Sequence, residues 1–103
     1  MDYEIEKFME QITDELDDTR NYAKWAAEIK EKWPDIAETL YTISTQEYKH
    51  ATMLHEAVMK IKERRMAEGS LPEGALEFCS YMQNKHVDMM ADAKAYQDIY
   101  KEM

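Results

Sequence analysis

Glu47 and His50 form a Glu-x-x-His pair, a carboxylate and an imidazole one helical turn apart, and Glu15 is a second carboxylate that the helical pattern turns inward. Read at alternating steps of three and four, the first segment runs Ile5, Phe8, Ile12, Glu15, Thr19, Tyr22, Ala26, Ile29, so an acid stands where an apolar residue belongs. The second runs Ile36, Leu40, Ile43, Glu47, His50, Leu54, Ala57, Ile61 and breaks in the same way. A carboxylate withdrawn from water is costly unless it is paired or binds a cation. Carboxylate oxygen and imidazole nitrogen at this spacing are within reach of one or two metal ions, which makes Glu15, Glu47 and His50 candidate metal ligands. A Glu-His pair can also satisfy itself across a helix interface, so a buried hydrogen-bond network is the competing reading.

The elements that must position these residues are helices. The only glycines and prolines, Pro34, Gly69, Pro72 and Gly74, cluster at two points. They divide the chain into three long antiparallel helices, over about residues 2–32, 34–68 and 71–102, and predict an all-α fold. Pro34 disfavours helical geometry at Trp33 and starts the second helix. Gly69 suits a left-handed terminator, and Ser70-Leu71-Pro72-Glu73 has the form of a capping box. The third seam reads Ala75, Cys79, Met82, His86, Met89, Ala93, Tyr96, Tyr100, Met103. Its methionines and tyrosines are core residues by their spacing, and the lone Cys79 is a small core residue that forms no intrachain disulfide.

Short loops make neighbouring helices antiparallel, so two residues are level when their numbers average to the hinge. Glu15 with Glu47, and Glu15 with His50, average to about 31 and 32, beside the break before Pro34. All three polar seam residues therefore share one height. In the third helix, with its hinge near residue 71, Asp92 is level with His50 but flanks the seam and reads as solvated. His86 lies about 9 Å from the height of His50 and reads as a polar core or interface histidine near His55.

A chain of 103 residues with 45% hydrophobic content predicts one domain, 1–103, whose three helices leave a groove that favours association. The net charge of -9 argues against nucleic acid or an anionic membrane as partner and is compatible with cations. Much of it belongs to a solvated surface, since Glu4, Glu10, Asp14, Asp17 and Glu38 fall off the seams. With no leader, spanning segment or lipidation motif in the sequence, the expected location is the cytoplasm.

With Tyr22 seven residues after Glu15, a connection of suitable length and Glu47-x-x-His50, residues from about 8 to 62 resemble the ferritin-like superfamily, in particular the first half of a rubrerythrin-type four-helix bundle. The resemblance implies iron, with manganese or zinc as other possible metals. It makes Glu15 and Glu47 carboxylate ligands, one of them bridging, and His50 a terminal nitrogen ligand. Tyr22 would orient a ligand of another helix by hydrogen bonding. A complete family site has four carboxylates and two histidines, and this chain has half of each, with no second ExxH and no rubredoxin-like cysteines. Two copies related by a twofold axis would complete a di-iron centre, two irons per homodimer or larger even assembly, in the manner of encapsulated ferritins. That ranks above an intrachain site completed by Asp92 or water. The implied activity is ferroxidase or peroxidase-like: iron oxidation or chemistry on oxygen or peroxide, with an external electron donor for peroxidase turnover. The alternative is a non-catalytic helical interaction or structural module that keeps the ferritin-like hairpin.

Overall fold

The computed structural model describes residues 2–103, and Met1, the first residue of the expected 1–103 domain, lies outside them. Helix α1 spans Tyr3–Ile29, α2 Pro34–Glu68 and α3 Ala75–Glu102, and no strand occurs among the described residues. The all-α, three-helix arrangement is the one expected. Each boundary has a local cause. The Asp2 carboxylate accepts hydrogen bonds from the Glu4 and Ile5 amides at 3.0 and 3.2 Å, capping α1. Arg65 Nε holds the same carboxylate at 2.8 Å, which ties the start of α1 to the last turns of α2. Pro34 occupies the first turn of α2, and Gly69 ends that helix at φ 66°.

Two boundaries differ from expectation. Helix α1 stops at Ile29, and residues 30–32 form the turn into Pro34. Helix α3 begins at Ala75 rather than near residue 71, and the capping box does not form: Ser70 Oγ turns back to Glu68 Oε2 at 3.1 Å. Gly74, at φ 81°, precedes the first helical residue in a conformation that side chains rarely adopt, so the helix cannot start before it.

The register follows the hinge rule. Met59 with Gln83, Tyr48 with Lys94 and Ser44 with Gln97 meet across α2 and α3, and each pair of numbers averages to about 71. Helices α1 and α3 run parallel, joined by Thr13 to His86 at 2.8 Å and Arg20 to Asp92 at 2.6 Å, separations of 73 and 72 residues. One apolar cluster gathers Ile5, Met9, Ile12, Leu16, Val58, Cys79 and Met82; a second gathers Ala26, Ala37, Leu40 and Tyr100. A polar layer includes Ser44 Oγ, which donates to Thr19 O at 2.6 Å and accepts from Gln97 Nε2 at 3.0 Å.

The expected seam of α1 is displaced. Its buried stripe is Ile5, Met9, Ile12, Leu16, Thr19, Ala23 and Ala26, while Phe8, Glu15, Tyr22 and Ile29 lie half-buried along one edge. The reason is that α1 packs against both other helices, so its buried stripe bisects them. A seam read against one neighbour falls to the side. The same shift makes Ile36 exposed on α2 and buries Ala37, Ser44, Ala51 and Val58 instead. On α3 the seam holds from Ala75 through His86, with Gln97 buried in place of Tyr96 and Met103 exposed. No helix is long and apolar enough to cross a membrane.

Candidate metal centre

Glu15 sits mid-way along α1, two residues beyond Thr13, which contacts α3. Two residues are about 200° of helical turn, so Glu15 lies on the flank facing away from α3. Glu47 and His50, one turn apart on α2, meet it there. The three offer donor atoms that all lie within 4.8 Å of one another. His50 Nδ1 is 3.8 Å from Glu15 Oε2 and 3.8 Å from Glu47 Oε1. Ligands each about 2.1 Å from one ion stand about 3.0 to 4.2 Å apart for bond angles from right to straight, so both separations suit a shared cation.

The electrostatics point the same way. Glu15 Oε1 accepts from Gln11 Nε2 at 3.2 Å, whereas Glu15 Oε2 is buried with no hydrogen-bond partner among the described residues. Two ionised carboxylates have no proton to share. Glu47 is accordingly pushed up to about 7, first because a protonated Glu47 can hydrogen-bond to Glu15, then by burial and by the charges of Glu15 and Asp18. The Asp18 carboxyl is raised as well, by burial and by Glu15, Asp14 and Asp17. A cation would relieve all of these repulsions. Glu15 and Glu47 are largely covered, with side chains 16% and 20% exposed, while His50 is 53% exposed, so the group is open on its outer side.

Match to known families decides what kind of chain carries this group: the rubrerythrin family model matches residues 6–102. The chain belongs to the rubrerythrin family. The match covers nearly all of the chain, including α3, whereas the resemblance read from the sequence reached only to about residue 62. No curated protein and no solved structure matches.

Within this rubrerythrin-family chain, Glu15, Glu47 and His50 are brought together as their register implied, although at the edge of the core rather than inside it. Tyr22 is outside that group. It packs on the second apolar cluster, its ring stacked on Trp25 at a centroid distance of 6.5 Å. Asp92 is half-exposed and paired with Arg20, and makes no part of the group. His86 is a core histidine, 3% exposed, and lines a cavity together with His55. Sequence reading missed Gln11 and Asp18. Gln11 was legible as the residue one turn before Glu15, but Asp18 owes its effect to the approach of α2, which no pattern within α1 reveals.

Proposed function

We propose that this chain is a di-iron carboxylate protein whose centre is shared by two copies, each contributing Glu15, Glu47 and His50, and that it oxidises iron or reacts with oxygen or peroxide. The observation that carries this reading is a half-complement of ligands, two carboxylates and one imidazole, on a flank that the chain itself leaves open. The family's pair of ions takes twice that number. Iron supplies electron exchange with oxygen or peroxide when bound; manganese or zinc would fit the same donors, and zinc would not supply that exchange.

The chain's own residues do the rest. His50 would hold the ion through Nδ1, since that nitrogen lies 3.8 Å from a carboxylate oxygen of each glutamate. Glu47, raised to about 7 without metal, would have to give up its proton to ligate a cation. Gln11 holds one oxygen of Glu15 and leaves the other free to ligate. Around this group the flank is apolar: Met53 and Ile36 are exposed, and Phe8, Ile43 and Leu54 are half-covered. A second copy seated there would bury them and exclude water from the centre. Peroxidase turnover would draw on an external electron donor.

The test is addition of ferrous iron to metal-free protein under air. Oxidation should outpace that in buffer, saturate first near one iron per chain, and require all three ligands. Light scattering should show a dimer or larger even assembly, and Met53→Lys should weaken it. Oxidation no faster than in buffer would remove the redox reading. A compact monomer that holds its iron would remove the shared centre.

A second reading has its own support. A protonated Glu47 can donate to Glu15, which would let the cluster close on itself without metal and serve a non-catalytic helical interaction or structural module. An iron-free protein that assembles normally, with Glu47→Gln leaving assembly unchanged, would favour it.

A further inference from the structure

On the face where α2 and α3 lie side by side, a cavity of about 350 Å³ opens over α1, with Ile12 at its floor and Thr52, His55, Gln83, His86 and Val87 among its walls. That volume lies within the range of about 300–1,000 Å³ typical of small-molecule sites. None of its nine lining residues is an acid, a lysine or an arginine, in a chain of which 34% is charged. Apart from its two histidines, the cavity offers a charged occupant no counter-ion.

The cavity is closed lengthwise. Gln83 Nε2 donates to Met59 Sδ at 3.0 Å on one side, and Lys94 lies 4.7 Å over the Tyr48 ring on the other. These bridges between α2 and α3 stand about 16 Å apart along the helices, so a partner helix cannot lie in the trough without breaking one. The space is shaped for a compact molecule.

Its polar walls offer acceptors, although His55, as an imidazole, carries an N–H donor as well. The Thr13 hydroxyl donates to Met9 O at 3.0 Å, so at its 2.8 Å contact with His86 Nε2 the ring is the donor. His86 Nδ1 is then left with a lone pair and no hydrogen-bond partner among the described residues, but it is shut off from solvent, so the acceptors open to an occupant are those of Thr52 and Gln83. Burial, followed by the charges of Lys85 and His55, lowers this ring's pKa from the ordinary histidine value and so favours its neutral form. Thr52 spends its proton on Tyr48 O at 3.1 Å and can only accept, and the Gln83 amide oxygen is the end not turned to Met59.

We propose that this cavity binds a compact, uncharged, largely apolar molecule carrying a hydroxyl donor, a phenol or an alicyclic alcohol. The site is separate from the carboxylate–histidine group, on the other flank of α1, and does not rest on the metal reading.

Phenol is the probe, titrated into the full-length ¹⁵N-labelled protein and followed by NMR, with toluene and benzoate as comparisons. Phenol should give saturable shifts at low-millimolar concentration confined to the cavity walls, the His86 ring nitrogens included. Toluene, lacking the donor, should bind about 3- to 10-fold more weakly, and benzoate should not bind. Val87→Trp and Thr52→Phe, both at exposed rim positions, should each close the mouth and abolish the shifts, with circular dichroism reporting that the helices persist. Glu47→Ala should leave phenol binding unchanged. Absence of saturable shifts, toluene binding as well as phenol, or phenol binding that survives both rim variants would each overturn the proposal. Phenol shifts centred on Glu15 and His50 instead would do the same.

Discussion

Glu15 Oε2 faces His50 Nδ1 at 3.8 Å across the α1–α2 seam, and no hydrogen bond from the described residues reaches that oxygen. The approach is set by the packing of two backbones, fixed nearby where Ser44 bonds to Thr19 O. Donors held close without a bond between them are poised for a third party. Glu15→Ala, Glu47→Ala and His50→Ala should therefore each weaken iron binding by about tenfold or more, since loss of even an outer partner costs about 10- to 100-fold. His86→Ala should retain iron. Elemental analysis after gel filtration reads the result, and loss of iron in the His86 variant would contradict this assignment.

Glu47 makes the stability of metal-free protein depend on pH. Its folded value, about 7, lies above the ordinary 4.5, so between those limits the folded chain holds a proton that the unfolded chain has shed. The associated stability is fully present below 4.5 and is lost as pH rises through 7, to an upper bound of about 3 kcal/mol. With chelator present, the melting temperature should fall between pH 5 and pH 8, and Glu47→Gln should flatten the profile. Superimposable profiles would remove Glu47 as the cause.

Ser44→Ala should destabilise the fold by about 1–3 kcal/mol, because it strands the Thr19 carbonyl and the Gln97 amide in the polar layer. Urea unfolding measures this. A loss below a few tenths of a kcal/mol would mean that water or a shifted Gln97 fills the place of the hydroxyl.

Asp2 has two roles that substitution separates. Asp2→Ala removes the helix cap and the Arg65 ion pair and should cost about 1–2 kcal/mol, whereas Asp2→Asn keeps a capping oxygen and should cost less. Arg65 holds the Asp2 carboxyl below the ordinary 3.8, so the ion pair's contribution is present above that pH and fades in acid. Equal losses in the two variants would show that the ion pair, not the cap, dominates.

Tyr22→Phe should leave iron content nearly unchanged and slow iron oxidation, if its hydroxyl orients a ligand from a second copy. Its ring packing on Trp25 and the second apolar cluster is preserved by phenylalanine. An unaltered oxidation rate would confine Tyr22 to packing.

The clustering of the three candidate ligands was legible because helix spacing and hinge arithmetic are local rules, and both held: Glu15, Glu47 and His50 meet at one height. Their depth was not legible. Whether a seam residue is central or marginal depends on where a third helix lands, and Thr13 and Arg20, which hydrogen-bond to α3, carried no signal of that landing. The start of α3 was misplaced for a similar reason: Ser70-Leu71-Pro72-Glu73 satisfies a capping pattern, but the left-handed Gly74 after it interrupts the chain. The cavity over Ile12 was invisible altogether, since its walls come from three helices and no pattern within one of them reveals it.

The half-exposure of His50 carries a consequence for dose. If a metal is gripped only when two open flanks close on each other, loading becomes second order in protein, and every dilution is also a demetallation. Iron would then act as the adhesive of the assembly, and by reciprocity crowding the chains together would scavenge iron that a dispersed population lets go.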